Sequence, residues 1–279
     1  MNVELADERL MLIRDRFSMD HAEGRAWMKR VDAFGTLAKL GGFLNKPKDE
    51  DYELVYRERR LQPFWRIICT GAYDYERTRR YVVKAAPEVT KVTIEGKPFE
   101  AANGEFAVTG LETCHDELRR ESYYDALSKA AAPLLANYLK FEAVEVSADA
   151  LNDEAGPDAI IVPPQSKASE VIRDALSGVI AKIEADTVLE ERIRVEAVDL
   201  YYRPVYAFRY RWQGKEAVIE FDGLTGEAKP GGATFEQYLG QVLEPNFLLN
   251  AGVEAAGLFI PGARLAEIVI SKGLALAKS

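Results

Sequence analysis

Cysteine and histidine are nearly missing from this chain of 279 residues, which holds two of each. With Cys69 and Cys114 alone a disulfide framework is excluded, and with His21 and His115 as the only imidazoles no Cys/His zinc quartet can be assembled. Folding must come from burial. HExxH, a DxDxDG loop, GxxxxGK followed by Ser or Thr, GxGxxG after a strand and a GxSxG elbow are also missing. An ordinary hydrolase, kinase or dehydrogenase is therefore disfavoured, and neither a cofactor nor a metal is expected.

A secretory leader is not expected either: MNVELADERLMLIRDRF scatters acidic residues among apolar ones, where a signal would be basic and then continuously apolar. A cytoplasmic location is expected. Long uncharged runs are lacking too, because Glu254, Arg264, Glu267 and Lys272 interrupt the most apolar segment before it reaches the ~18 to 20 residues of a spanning helix. A net positive charge is lacking, since 45 acidic residues outnumber 36 basic ones, and a formal charge of −9 disfavours general binding to nucleic acid.

What is present is apolar surface, 48% of residues, enough for one large domain or two of ordinary size. Residues 3–19 and 23–44 carry apolar positions at mixed intervals of three and four, such as Leu5, Leu12 and Ile13, then Trp27, Val31, Phe34 and Leu37, which predicts two amphipathic helices. Asn45-Lys46-Pro47-Lys48-Asp49 ends them. From Tyr52 short β-branched and aromatic runs predict antiparallel strands, and 122–140 returns to helix spacing with Pro133 as a kink or break. A polar, proline-bearing connection spans 147–166. Val171, Ile172, Leu176, Val179, Ile180 and Ile183 then predict a helix over about 167–186, before strands resume through Phe221.

The two strand-rich stretches look alike. Placing Pro63 over Pro204 sets LQPFW on YRPVY, each in a stretch whose helix ends roughly ten residues before its first strand and each followed by a long aromatic strand. The expected fold class is α+β: two similar helix-plus-antiparallel-sheet units, with N-terminal helices and a C-terminal helical tail. The expected segments are 1–46 for the N-terminal helices, 47–147 for the first β-unit with its following helix, 148–232 for the second unit, and 233–279 for the tail.

The second unit resembles the PepSY family over about residues 166–229. The likeness rests on SKASEVIRDALSGVIAKI, RPVYAFRYRW, the Gln213-Gly214-Lys215 turn and KEAVIEFDGLTGEAK, where Asp222-Gly223-Leu224-Thr225-Gly226-Glu227 is similar to the family's closing turn. The resemblance implies a helix ahead of an antiparallel sheet, and peptide binding or protease inhibition in a secreted or membrane-linked setting. It transfers no functional residue. The turn also makes local sense, since Gly223 and Gly226 tolerate positive φ and Thr225 can bond within it.

Three features could carry function. Cys114-His115-Asp116-Glu117 sets a thiol, an imidazole and carboxylates side by side, although neighbours diverge on a strand or a helix. Residues 57–97 hold ten basic residues against five acidic ones among aromatics. Arg57, Arg59, Trp65, Arg77, Arg79 and Tyr81, with Tyr206 and Arg209 of the second unit, predict a surface for an anionic or protein partner, or else a solvated face whose charges discourage edge pairing. The Gly- and Ala-rich segment 247–277 can pack on its own sheet, on another subunit or at a membrane surface. The expectation is a non-enzymatic binding or assembly protein that meets a protein partner or itself. The alternatives are an enzyme with a site between the two units, using Cys114 and His115, or a peripheral membrane protein using the tail.

Overall fold

The computed structural model describes residues 2–35, 48–180 and 183–232. In chain order they form β1 (Asn2–Leu5), β2 (Glu8–Ile13), α1 (Met19–Ala33), a 3-10 turn (Asp49–Asp51), β3 (Tyr52–Lys84), β4 (Lys91–Ile94), β5 (Lys97–Ala102) and β6 (Glu105–Asp125). A 3-10 helix (Pro133–Lys140) follows, then β7 (Ala143–Val146), α2 (Leu151–Ala155), β8 (Ala159–Ile161), α3 (Ala168–Ser177), β9 (Thr187–Trp212), β10 (Lys215–Asp222) and β11 (Ala228–Pro230). All the strands belong to one mixed sheet of 11, with the main path β11-β10-β9-β3-β6-β5-β4.

Its spine is the antiparallel pair β3 and β9, matched from Tyr52 opposite Trp212 to Glu76 opposite Thr187. Strands flank this pair in tandem. On the outer side of β9 lie β1 and β2, both parallel to it, and then β10. On the outer side of β3 lie β8 and then β6. The two prolines sit where one flanking strand gives way to the next. Pro63 lies between the β8 contact at Leu61 and the β6 contact at Phe64, and Pro204 lies between the β2 contact at Tyr202 and the β10 contact at Val205. A missing N–H costs little where the ladder is already interrupted, so neither proline breaks its strand.

One face of the sheet carries both longer helices. α1 sets Ala22 and Ala26 on Tyr206, Phe208, Tyr210, Ile219 and Phe221, while α3 sets Val171, Ile172 and Ala175 on Trp65, Ile67, Cys69, Ile193 and Val195. Gly71 lets α3 come down: a Cβ there would lie 2.6 Å from the carbonyl oxygen of Val179. The opposite face holds a smaller cluster of Ile13, Phe64, Tyr201 and Leu224 under Leu135, Tyr138 and Leu139 of the 3-10 helix. Because both faces are covered in the middle of the spine, hydrophobic alternation fades there into nearly continuous burial.

The α+β expectation of two separate helix-plus-antiparallel-sheet units with N-terminal helices is corrected by this sheet. The protein is mostly strand, and the stretches expected to head two units pair with each other, Leu61 against Pro204 and Pro63 against Tyr202. The helix predicted over 3–19 is instead β1 and β2. Leu10 and Leu12 face the large core while Met11 and Ile13 face the small one, so burial on both sides hid the period of two. The helix predicted over 122–140 is the end of β6 and a 3-10 helix that starts at Pro133, the position that tolerates proline best. The helix over 23–44 is seen as Met19–Ala33, and the one over 167–186 as Ala168–Ser177. The expected tail, 233–279, lies outside the described residues.

The closing turn after β10 forms with a different division of labour. Asp222 Oδ1 accepts from the amides of Leu224 and Thr225, both at 2.9 Å, and Gly226 takes φ +76°. Gly223 supplies room, since a Cβ on it would lie 2.9 Å from the Pro204 carbonyl oxygen.

Candidate functional site

The spine is not closed at its far end. β9 stops at Thr187, opposite Glu76, and β3 runs on to Lys84 with β6 as its sole strand partner among the described residues. Asp186 finishes the last shared rung: its amide donates to the Glu76 carbonyl at 2.8 Å, and its carboxylate accepts from the Thr78 amide at 2.5 Å. These bonds hold the Asp186 carboxyl below its usual range. Beyond lies a two-stranded ribbon, residues 77–84 with 105–112, which reaches about 25 Å further at strand rise and ends in the β4-β5 hairpin.

Thr78 through Lys84 are exposed on both faces. Two-stranded ribbons are marginal in water, and this one is held by side chains across the pair. Tyr81 donates its hydroxyl to Glu112, Arg77 Nε donates to the same carboxylate at 2.5 Å, and the Tyr81 ring lies over Gly110. Those donors pull the Glu112 carboxyl down, and Glu112 in turn pushes the Tyr81 phenol up. Around this network Val82, Val83 and Leu111 stand in solvent, Leu111 being 64% exposed.

β6 also leaves a free edge. Between its short contact with β5 at Glu105 and Phe106 and the turn at Ala130–Ala132, its outer side has no strand partner among the described residues. Asp125 donates outward to Ala130 and Tyr123 accepts from Ala132, so odd-numbered residues direct their backbone groups to the outer side. Pairing of β6 with β3 is free of register shifts, which carries that alternation along the whole strand. From His115 to Glu121 every residue is exposed.

Alternation separates the residues of the Cys-His-Asp-Glu run. Cys114 faces the helix side, beside Tyr75 and packed against the large core, whereas His115 faces the opposite side, its Nδ1 2.6 Å from Asp74 Oδ1. Arg192 Nη2 donates to the other Asp74 oxygen at 3.1 Å. The bond to His115, with Arg192 beside it, holds Asp74 below the usual carboxylate range. Next to this trio is a shallow concavity of about 140 Å³ lined by Thr70, His115, Glu117, Arg192, Arg194 and Glu196. Its hydroxyl is already committed, because Thr70 Oγ1 donates to Glu196 Oε1 at 2.6 Å. No hydroxyl or thiol hydrogen-bonds the His115 ring among the described residues, so this is an ordered charge cluster and not a nucleophile with its base.

The predicted basic surface is dispersed. Arg57 pairs with Glu23 of α1 at 2.8 Å. Arg59 binds Asp15 and the Ala155 carbonyl, and Asp15 also accepts from the buried Tyr206 hydroxyl at 2.7 Å. Trp65 is core, its Nε1 donating to Ser166 Oγ at 3.1 Å. Arg209 lies over the Tyr56 ring, 5.5 Å from its centroid. Arg77, Arg79 and Tyr81 alone meet on one exposed element, the ribbon. Sequence reasoning missed Leu118, Arg119 and Arg120. Their signal was present: a strand whose seven residues HDELRRE show no apolar alternation has neither face buried.

Among the described residues no group of His, Cys, Asp and Glu converges as a metal set, and no helix is long and apolar enough to cross a membrane. No protein-family model matches the chain, and neither does any curated protein or solved structure.

Proposed function

We propose that this chain is a non-enzymatic binding or assembly protein that docks a protein partner through the ribbon formed by β3 and β6. The observation that carries this reading is the ribbon itself, which extends past the last spine contact with both faces wet and Val82, Val83, Tyr81 and Leu111 uncovered. A fold gains nothing from holding such side chains in water, whereas a partner laid on the ribbon would bury them. Arg79, Arg80 and Lys84 among them favour a partner with acidic groups at the rim.

The test is in-cell crosslinking read by mass spectrometry, on the native chain and on a chain in which residues 79–110 are replaced by Asn-Gly. That turn joins Thr78 to Leu111, which already face each other across the ribbon. Crosslinks from Lys84, Lys91 and Lys97 to a defined protein, lost from the shortened chain while its melting temperature holds, are expected. The same crosslinked partners on the shortened chain would overturn the proposal.

A cytoplasmic setting belongs to the same proposal and draws support from the two free thiols, Cys69 and Cys114. The internal repeat and the PepSY-like origin of the second half are proposed on similar terms. What supports them is the symmetric placing of Pro63 and Pro204 about the β3-β9 pairing, and a helix, a long strand and a turn-closed hairpin following one another from Ala168 to Pro230.

A further inference from the structure

We propose that two copies of this chain join edge to edge through β6, antiparallel, with Leu118 facing Leu118 of the second copy. The inference rests on the assembly reading and names one occupant for the open edge.

A pair of identical antiparallel edges is related by a two-fold axis, which must pass through a residue of β6 or its self-paired position. The choice of that residue fixes every cross-strand neighbour. Centring on Leu118 sets Glu117 against Arg119, Asp116 against Arg120 and His115 against Glu121, each contact occurring twice. Centring on Asp116, Glu117, Arg119 or Arg120 sets a residue against its own like charge. Among registers centred within residues 116–120 one is therefore selected by charge, since like charges directly opposite are unfavourable.

The backbone agrees with that choice. Odd-numbered residues direct their N–H and C=O groups outward, so Glu117 with Arg119 and His115 with Glu121 become the hydrogen-bonded pairs. Leu118 then occupies the closer, non-hydrogen-bonded position where side chains meet, and its present 46% exposure falls. Nine residues, 114–122, can pair before Tyr123, whose carbonyl already accepts from Ala132. Among the described residues Asp116, Glu117 and Arg120 form no ion pair, and the Arg120 side chain lies against Gly178 just beyond α3. Arg119 and His115 carry internal contacts to Glu196 and Asp74, which fix their positions ahead of pairing.

The experiment uses two charge-shifted full chains, D116K/E117K and R119E/R120E, each self-repelling in the proposed register but complementary to the other. Sedimentation velocity is expected to show a dimer for the native chain, about a hundredfold or more weaker self-association for either variant alone, and recovery of the dimer on mixing the two. Concentration-dependent amide protection at residues 115, 117, 119 and 121 of the native chain is the accompanying signal. A monomeric native chain, dimers indifferent to both variants, or a mixture that fails to reassociate would each overturn the proposal. In those cases ribbon crosslinks to another protein would leave the assembly reading standing, and their absence would remove both.

Discussion

One strand, β3, passes through two surroundings. From Leu61 to Tyr75 it lies between β9 on one side and β8, then β6, on the other, with α3 above it, and Leu61, Phe64, Trp65, Ile67 and Cys69 are nearly without solvent contact. From Thr78 to Lys84 it has one strand neighbour and no covering element among the described residues, yet it keeps the same pairing to β6 without a break in register. The difference lies in what the side chains reach. The body is held by aromatic and aliphatic contacts and by arginines gathered on the buried Asp199, the ribbon by one Arg-Glu-Tyr network at its surface. Burial therefore sets stability while exposed pairing sets shape, and substitutions of the same kind should separate the two regions.

The largest effects belong in the body. Trp65→Ala removes a side chain that is 1% exposed and its bond to Ser166, and is expected to cost about 3–5 kcal/mol in urea denaturation. Asp199 tests these ions. It is fully buried, accepts from Arg9 Nε and Nη2 at 2.8 and 3.0 Å and from Arg66 at 3.0 Å, and Arg66 in turn donates to Glu121 at 2.6 Å. Asp199→Ala leaves Arg66 short of one counter-charge in a half-buried place, and a loss of about 3 kcal/mol is expected. The matching change in the ribbon, Glu112→Ala, should leave the unfolding midpoint where it is. Equal losses for Asp199→Ala and Glu112→Ala would erase the distinction between the two regions.

How far this contrast could be read from the sequence depends on where each residue's partner lies along the chain. Strands over 52–97 and 192–221 were legible from aromatic and β-branched runs, and the divergence of Cys114 from His115 followed from strand geometry alone. Their joining into one sheet was not legible, because Pro63 and Pro204 were aligned as matching points of two separate units. In the fold they lie close together across the β3-β9 pair, each where the ladder to a flanking strand is interrupted. The N-terminal strands were hidden because Leu10 to Ile13 are buried from both sides. The basic cluster misled for a related reason: Arg57, Arg59 and Arg66 find carboxylates at Glu23, Asp15 and Asp199, far away in the chain, so local charge counting left them falsely unpaired. An open edge, finally, is a property of topology, and no local pattern states which strand will lack a neighbour.

A smaller effect, and one that depends on pH, is expected at Glu8. Burial pushes its carboxyl up to about 7, and its Oε1 has no hydrogen-bond partner among the described residues. Ionised Glu8 therefore opposes the fold. Folding favours the protonated form, so stability rises as pH falls from about 7 towards 4.5, the value for an unperturbed glutamate, and changes no further through this group below that. Glu8→Gln removes the charge at all pH. After discounting for the part of the side chain that water reaches, a gain of about 1 kcal/mol is expected at pH 8, shrinking to none by pH 4.5. Denaturation midpoints of both chains across that range check it, and a gap independent of pH would show that Glu8 keeps its ordinary titration.

The smallest thermodynamic effect belongs to the ribbon, where the comparison can be sharpened by rate as well as energy. Leu111→Ser exchanges an exposed aliphatic group for a polar one, and its effect on stability should stay within about 0.5 kcal/mol. Amide exchange should nevertheless divide β3 sharply. Residues 64–72 bond within a covered sheet and open only with the body, while 79–84 sit in a pair that can fray from its tip. Protection factors at 79–84 are expected to fall at least about a thousandfold below those at 64–72, unchanged in Leu111→Ser. Equal protection along β3 in the isolated protein would mean that the ribbon is already covered, and a docking role for Val82, Val83 and Leu111 would lose its physical basis.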